Sequence, residues 1–594
     1  MTIVLQGANR RDDSEVYVMP SVAPLHSPSL VWERQEGVQY FVEHRRGWIY
    51  IITNANNAYN FQVLRAKLPC RTVALGERLL PTNWEIVIPH DRERKIEDVD
   101  IFKDHIVIYG KMNMQPFVEV HSFNNRMNPK SSSTPVNKPD IDKLPFYSLD
   151  TNHIRHLELS EDACEVFPGA NNDFNAKFCR ICVASTTCPE RVYDFRFDKN
   201  SSGTSDSKSS VFSSSYLLRQ VQLGECSGWP SFDESLFTSY RLWARSAKRH
   251  DVESLDRIVS KLNSGYYEDD IPPCEDHVNV PITLVHRKGV PLTGHSPTLM
   301  HAYGAYGQNL STELNIANLS LLYRGWVLAF AHVRGGGELG SPWYHDGRLN
   351  RKYNSFGDTV ASVQTLFNFG ITKPQLLALK TESAGGVIGG WMANNCGSLI
   401  QSCILKVPFL DVSSAMHDDS LPLTIAEHSE WGDPLRDEPS GVRDMIQNYC
   451  PYTNCGENTN DAKVAPCIYM TGARKDPRVP VYHPLKFLGK LRHIECTPIS
   501  TKTENEHAYI CKPRHSSRPS VYSEHQPSLL EMVRDWTKPM GGDYEDIENS
   551  FYCHFLRSSV DVGGHFGEGG KAAQIDNAAE EIVFLHLALG LPLE

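Results

Sequence analysis

Residues 376–393 read LLALKTESAGGVIGGWMA, a short apolar run, a turn of small residues around one serine, and a second apolar run. The first run is typical of a buried strand, and the second of a helix packed closely against that strand. A sharp strand-to-helix turn around Ser383 is the geometry of a nucleophile elbow, which lifts the hydroxyl clear of the backbone. Ala384, Gly385 and Gly386 suit this turn because it has no room for bulky side chains. The segment therefore predicts an open α/β sheet that presents a serine.

Two downstream residues could supply a base and an orienting acid for this serine. Asp476 follows the apolar run 469–473, so it is expected at the carboxyl end of a strand, where open α/β sheets keep their sites. His565 lies in the glycine-rich stretch 563–570, and helical spacing follows it from residue 571 to 589. Taken singly, each residue is more often a surface or capping residue. In the order serine, aspartate, histidine they predict the triad of an α/β-hydrolase.

The motifs around these residues are long enough to indicate a family. The chain resembles the prolyl oligopeptidase family of serine hydrolases, most closely its prolyl-endopeptidase-like branch, from about residue 239 to 591. The motifs that carry the resemblance are HAYGAYG at 301–307, HVRGGGELG at 332–340, ESAGG at 382–386, LPLT through EWG between 421 and 432, and DPRVP at 476–480.

The resemblance assigns a chemical role to each of five residues. It implies that Ser383 attacks a carbonyl, with His565 as general base and Asp476 fixing the tautomer of the imidazole. The oxyanion would be bound by the backbone N–H of Ala384 and the hydroxyl of Tyr303. Tyr306, close by in the sequence, matches a packing aromatic residue of the family.

The same resemblance implies a substrate-binding set of Arg478, Glu427 and Trp431. Arg478 would hydrogen-bond the substrate backbone, with a surface ion pair as the alternative. Glu427 lies in the acidic cluster that holds a basic side chain in dibasic-selective relatives, but Ser429 replaces the second acid. Since one acid binds a cation less strongly than two, we expect at most a weak preference for basic side chains.

Two departures from the family pattern flank the predicted nucleophile. Thr381 replaces the usual glycine two residues before Ser383, and Glu382 places a carboxylate beside the serine. A nearby carboxylate disfavours an oxyanion unless it points to solvent. The prolyl-endopeptidase-like branch also departs from glycine at the position of Thr381, and the resemblance to this branch implies an esterase or thioesterase more than an efficient peptidase. Esters and thioesters have better leaving groups than amides, so they tolerate a less finely arranged site.

The N-terminal part of the chain has a different pattern, with short β-type runs and little helical periodicity. Three pairs of runs, each joined by a polar turn, indicate propeller blades: 48–52 with 61–64, 106–109 with 117–120, and 179–183 with 192–195. We therefore predict a partial β-propeller of about four blades over residues 1–231 and an α/β-hydrolase domain over 232–594. The family propeller has seven blades, so the chain, with a first strand near residues 15–18, is either a fragment or a hydrolase with an open lid.

Three segments are predicted to be loops or insertions. A serine-rich stretch covers residues 200–215, and insertions in the hydrolase domain lie near 249–275 and 496–546.

Composition agrees with a large enzyme of more than one domain. The chain has 594 residues, more than a single core usually supports, and 40% of them are hydrophobic. Its net charge of −12 argues against nucleic-acid binding. Its fifteen cysteines show no disulfide-framework spacing, so we expect a reducing cytosol. Cys179 and Cys182 have the spacing of a metal or redox motif, but the strand pattern around them favours simple strand cysteines. We expect no metal, no cofactor, no membrane span and a monomer.

Two functional classes remain open from the sequence. The first is a serine hydrolase that acts on short peptides, esters or thioesters. The second is a catalytically weak scaffold that keeps the hydrolase fold. The sequence favours the hydrolase, because a scaffold has no need of serine, aspartate, histidine and tyrosine in matching loops.

Overall fold

The computed structural model describes residues 2–7, 13–20, 28–67, 84–123, 155–156, 164–197, 215–220, 232–263, 277–437, 441–456, 465–496, 554–559, 564–565 and 571–593. The chain divides into two compact units. The first contains residues 1–234 together with 311–314 and 337–343, and the second contains the remaining residues from 235 to 594.

The first unit consists of small antiparallel sheets of the blade type. A three-stranded sheet contains β1 (Thr2–Gly7), β2 (Glu15–Pro20) and β3 (Ser29–Leu30). A second sheet contains β4 (Tyr40–Arg45), β5 (Trp48–Thr53), β6 (Gln62–Lys67) and β7 (Glu85–Ile88). A third contains β8 (Arg94–Ile101), β9 (His105–Met112), β10 (Gln115–Ser122) and β11 (Arg155–His156). A fourth contains β12 (Cys164–Pro168), β13 (Phe178–Ser185), β14 (Arg191–Arg196) and β15 (Ser215–Gln220).

The three predicted strand pairs are antiparallel neighbours in these sheets, namely β5 with β6, β9 with β10, and β13 with β14. Apolar residues from successive sheets share cores, as where Tyr50 and Val63 of one sheet pack with Ile106 and Ile108 of the next. Blades bury their faces against neighbouring blades in this way. One detail of the sequence interpretation was wrong, because β1 precedes the strand near residue 15 that was expected to be first.

The second unit is built on an eight-stranded sheet. Its strands are β16 (Phe237–Ala247), β17 (His277–Arg287), β18 (Thr298–Ala302), β19 (Val327–Ala331), β20 (Leu377–Glu382), β21 (Ser402–Lys406), β22 (Cys467–Ala473) and β23 (His554–Ser559). The order across the sheet is β16-β17-β19-β18-β20-β21-β22-β23, and within it β17 runs antiparallel to the other seven. Central strands such as β19, with the sequence VLAFA, are buried along their whole length, as expected for parallel strands covered on both faces.

The described helices complete the fold. They are α1 (Val252–Asn263), α2 (Ile316–Tyr323), α3 (Ser341–His345), α4 (Tyr353–Asn368), α5 (Gly386–Asn395), α6 (Val412–Met416), α7 (Thr424–Trp431), α8 (Val442–Tyr449), α9 (Tyr482–Cys496) and α10 (Lys571–Ala588). None of these helices is long and apolar enough to cross a membrane.

The three predicted insertions and loops can be placed only in part. Helix α1 lies within the insertion near 249–275, between the paired strands β16 and β17. The insertion near 496–546 and the serine-rich stretch 200–215 fall, apart from their end residues, outside the described residues.

The strand directions decide where a site can form. The residues that follow β18, β20, β22 and β23 all lie at the carboxyl edge of the parallel sheet. Tyr303, Ser383, Asp476 and His565 all follow these strands, so the fold delivers them to one edge.

Candidate active site

Ser383 lies in a strained turn directly after β20. Its φ of +52° belongs to the left-handed region, which L-residues other than glycine rarely adopt. A single 3₁₀ turn, Ser383–Gly385, follows, and it continues into α5. The backbone N–H of Phe409 donates to the carbonyl oxygen of Ser383 at 2.9 Å, which holds the turn against the loop after β21. Strain of this kind persists only where the surroundings fix it, and it is common at active sites.

Thr381 fits into this elbow because the facing residue of α5 is a glycine. Thr381 is buried, and a Cβ atom on Gly389 would lie 2.4 Å from its Oγ1 and 2.5 Å from a methyl carbon of Leu405. The missing side chain at residue 389 thus leaves the space that the threonine occupies. The departure from the family pattern at residue 381 therefore leaves the strand-turn-helix geometry intact.

The three predicted catalytic side chains meet at this edge of the sheet. The His565 Nε2 atom lies 2.9 Å from Ser383 Oγ, and its Nδ1 atom lies 2.8 Å from Asp476 Oδ2. The other carboxylate oxygen of Asp476 accepts hydrogen bonds from the backbone N–H groups of Arg478 at 2.8 Å and Val479 at 3.0 Å. The aspartate is therefore fixed at both oxygens, and it holds the imidazole with its second nitrogen on the serine.

The electrostatics of Asp476 favour its charged form. Burial acts to raise the pKa of this carboxyl, but the hydrogen bonds from His565 and from the two backbone N–H groups outweigh burial and lower the pKa below its ordinary value. An ionised aspartate can keep the proton of the imidazole on Nδ1, so that Nε2 can accept the serine proton.

The two residues predicted to supply the oxyanion donors lie at the elbow or next to it. Ala384 is buried in the first turn after β20, and N–H groups in the first turn of a helix have no acceptor within the helix. Tyr303 follows β18, and a Cβ on Gly385 would lie 3.2 Å from the Tyr303 Cα atom. The loop that contains Tyr303 is held in place by a hydrogen bond, because the buried Lys352 donates to the carbonyl oxygen of Gly304 at 2.6 Å.

Glu427 and Trp431 lie on α7 and meet at the side chain of Tyr306. The Tyr306 hydroxyl donates to a carboxylate oxygen of Glu427, and the indole Nε1 of Trp431 donates to the same hydroxyl at 3.3 Å. Trp431 is 0% exposed and packs on Phe409, with ring centroids 5.5 Å apart. Sequence reasoning treated Tyr306 as a packing residue and missed this contact, because Tyr306 and Glu427 are 121 residues apart.

The other two charged residues near the elbow have exposed side chains. Arg478 is exposed, and its backbone N–H donates to Asp476. Glu382 is also exposed, so its carboxylate lies on the solvent side of the elbow, the orientation that keeps it from disfavouring an oxyanion. Within the described part of the chain, no group of three or more metal-ligating side chains is arranged to hold an ion, and Cys179 and Cys182 lie on β13.

Two family models match the chain. One, described as the prolyl oligopeptidase family, matches residues 312–538. The other, described as the N-terminal β-propeller domain of prolyl oligopeptidase, matches residues 1–206. The chain belongs to the prolyl oligopeptidase family.

Individual relatives agree with this assignment. Human prolyl endopeptidase-like is 29% identical over 479 residues, which are 81% of this chain and 53% of that protein. Protease 2 of Moraxella lacunata is 28% identical over 488 residues, which are 82% of this chain and 57% of that protein. The chain thus spans little more than half the length of these relatives.

A solved structure extends the likeness to the whole fold. Oligopeptidase B from Trypanosoma brucei, in its closed form with covalently bound antipain, superposes with a TM-score of 0.70 at 23% identity. The match covers 100% of this chain and 65% of that chain. It shows the architecture that the family models indicate, an N-terminal β-propeller domain and an α/β-hydrolase domain.

Arg334, which lies in one of the motifs typical of the prolyl oligopeptidase family, is a buried brace. Its guanidinium pairs with Asp358 of α4 through two N···O contacts of 2.8 and 2.6 Å, and both residues are 0% exposed. The same guanidinium donates to the carbonyl oxygens of Ala247 and Lys248, at the end of β16. It therefore ties β16, α4 and the loop after β19 together, and its role is structural.

Proposed function

We propose that the chain is a serine hydrolase that transfers the acyl group of a short peptide, ester or thioester to water. The observation that carries this proposal is the position of His565, within hydrogen-bond distance of both Ser383 Oγ and the Asp476 carboxylate. A nucleophile, a base and an orienting acid in this arrangement are the parts that covalent acyl transfer requires.

The geometry gives each side chain a step in the reaction. Ser383 Oγ attacks the carbonyl carbon while His565 Nε2 takes the hydroxyl proton. Asp476 stabilises the resulting imidazolium, and the tetrahedral intermediate collapses when His565 passes that proton to the leaving amine, alcohol or thiol. A water molecule then attacks the acyl-serine with His565 again as base, which releases the acid and restores the serine.

The oxyanion of each tetrahedral intermediate is assigned to the backbone N–H of Ala384 and the hydroxyl of Tyr303. Their support is positional, because the residues on which they lie are at the elbow or next to it. Loss of one such donor typically costs about 10²- to 10³-fold in kcat. A Tyr303→Phe variant tests this assignment directly, with a fall in kcat of that size and little change in KM.

Substrate binding is assigned to Arg478, Glu427 and Trp431. The assignment of Arg478 to the substrate backbone is supported by the exposure of its side chain and by its position two residues after Asp476. Glu427 is half-buried and already accepts the Tyr306 hydroxyl, which supports only a weak preference for basic side chains. Trp431, being fully buried, would act on a substrate through Tyr306.

The fifteen cysteines without disulfide-framework spacing favour the cytosol as the place of this activity. The proposal includes a monomeric enzyme with a preference for short substrates over folded proteins.

Covalent labelling of the purified chain with a fluorophosphonate probe tests the proposal. We expect one label per chain on Ser383, and no label on Ser383→Ala. Hydrolysis of a matched pair of short substrates, one an amide and one a thioester with the same acyl group, then separates peptidase from thioesterase activity. A folded wild-type chain that neither labels nor hydrolyses either substrate would refute the hydrolase and favour the scaffold.

A further inference from the structure

Two adjacent carboxylates on α10 contact one side chain from each of four neighbouring strands. The contacts of Glu581 are with Lys380 of β20, at 2.5 Å, and with Lys406 of β21, at 3.8 Å. Those of Glu580 are with the hydroxyl of Tyr469 on β22, which donates at 3.0 Å, and with the Arg557 guanidinium on β23, at 2.6 Å. Neighbouring residues of a helix point in directions about 100° apart. Glu581 can therefore contact β20 and β21 while Glu580 contacts β22 and β23.

These contacts lie on the face of the sheet opposite α5. Along β20 the side chain of Thr381 faces α5, so that of the preceding residue, Lys380, points to the other face, where it meets α10. Glu581 is buried, and burial acts to raise its pKa, but the charges of Lys380 and Lys406 outweigh burial and lower it. The carboxylate is therefore ionised at neutral pH, and its removal would leave two partly buried lysines without this partner.

Three of the four strands, β20, β22 and β23, lead to triad residues, and the loop after the fourth, β21, holds the Ser383 turn through the N–H of Phe409. Lys380 is three residues before Ser383, and Tyr469 is seven before Asp476. Arg557 is eight residues before His565, and α10 begins six residues after it. One helix is thus fixed to every strand that carries or precedes a triad residue.

We propose that Glu580 and Glu581 form a carboxylate clamp, a positioning device that holds β20, β21, β22 and β23 in register so that Ser383, Asp476 and His565 stay within hydrogen-bond distance. The proposal rests on the proposed hydrolase function. The clamp touches no substrate. It acts through strand spacing, and a misplacement of about 1 Å in a catalytic group can cost about 10²-fold in rate.

Lys380→Met and Glu580→Gln test the clamp, with Lys380→Arg as the conservative control and Val259→Ala as the stability control. Val259 is buried in α1, so its truncation lowers stability without touching the four strands. For Lys380→Met and Glu580→Gln we expect kcat and the fluorophosphonate labelling rate to fall about 10- to 100-fold, with KM changed less than about twofold. Lys380→Arg, which keeps the positive charge, should retain most of the wild-type kcat and labelling rate. Val259→Ala should lower Tm while leaving both rates unchanged.

Amide hydrogen exchange over residues 476–479 gives a second readout that needs no activity. The N–H groups of Arg478 and Val479 donate to Asp476, so a loosened triad exposes them. We expect faster exchange there in both clamp variants than in Val259→Ala of similar Tm. Exchange and labelling rates equal to those of Val259→Ala would overturn the clamp, whereas failure of the wild-type chain to label would refute the hydrolase proposal alone.

Discussion

Replacement of Asp476 by asparagine should reverse the tautomer of His565. One carboxylate oxygen accepts from the N–H groups of Arg478 and Val479, and the other faces the imidazole Nδ1. In Asp476→Asn the amide oxygen must stay with the two backbone donors, so the NH₂ group faces His565. This NH₂ can only donate, and it therefore forces the ring proton onto Nε2, where it points at Ser383 and abolishes the base.

The magnitude follows from the cost of the alternative orientation. If the amide flipped to restore the productive tautomer, two backbone N–H groups would face an NH₂ group and lose their acceptor. A buried donor left unsatisfied costs about 1–3 kcal/mol, so the flip costs about 2–6 kcal/mol. At about 1.36 kcal/mol per tenfold change in rate, this corresponds to a loss of roughly 30- to 25,000-fold in kcat. In serine proteases the same change costs about 10⁴-fold.

The assay is steady-state hydrolysis of a short ester, together with the single-turnover rate of fluorophosphonate labelling at saturating probe. KM should stay within about twofold, because Asp476 would contact no substrate, and Tm should change little, because both backbone hydrogen bonds are kept. A variant that retains more than about a tenth of the wild-type kcat would show that the carboxylate does not set the tautomer of the imidazole.

Three further predictions concern stability. Ser383→Gly should have a free energy of unfolding about 1 kcal/mol higher than Ser383→Ala in urea titrations, because only glycine tolerates a φ of +52° without strain. Arg334→Met should lose about 3–5 kcal/mol by the same measurement, since it leaves the carboxylate of Asp358 buried without its partner. Burial lowers the pKa of His250 and of His483 to about 4, so between that value and 6.5 the unfolded chain binds more protons than the folded one. The free energy of unfolding should therefore fall as the pH drops through this window, by about 1.3 kcal/mol for each histidine between pH 7.5 and 5.5. In His483→Gln the fall should be smaller by the contribution of that one histidine.

The sheet and the meeting of the triad could be predicted from sequence because their signals are local. The small residues after Ser383, the apolar run before Asp476 and the glycines around His565 each mark a strand end or a tight loop. Parallel strands end at a common edge, so three such local signals suffice to place three distant residues together. The blade hairpins were predictable for a similar reason, since each pair of strands is joined by a short polar turn.

What the sequence could not show are contacts between residues whose own surroundings carry no signal. Lys380 and Glu581 are 201 residues apart, and each looks like an ordinary charged position on a strand or a helix. The same holds for the Tyr306–Glu427 contact. Whether the elbow could accommodate Thr381 depended on one residue of α5, because Gly389 has no side chain to occupy the same space.

The two faces of the sheet thus contribute in different ways to the position of the Ser383 hydroxyl. On one face, α5 approaches β20 and β21 closely beside the strained turn at Ser383, and the glycines of α5 make that approach possible. On the other face, α10 packs on the strands, as where Phe584 contacts Tyr469 with ring centroids 5.4 Å apart, and it adds the charged contacts of Glu580 and Glu581. A strained nucleophile needs surroundings that cannot relax, because any local relaxation would release the turn and move the hydroxyl away from its base. The carboxylate contacts of α10 resist such relaxation from the far side of the sheet, and so substitutions that never touch the substrate should still lower the rate at Ser383.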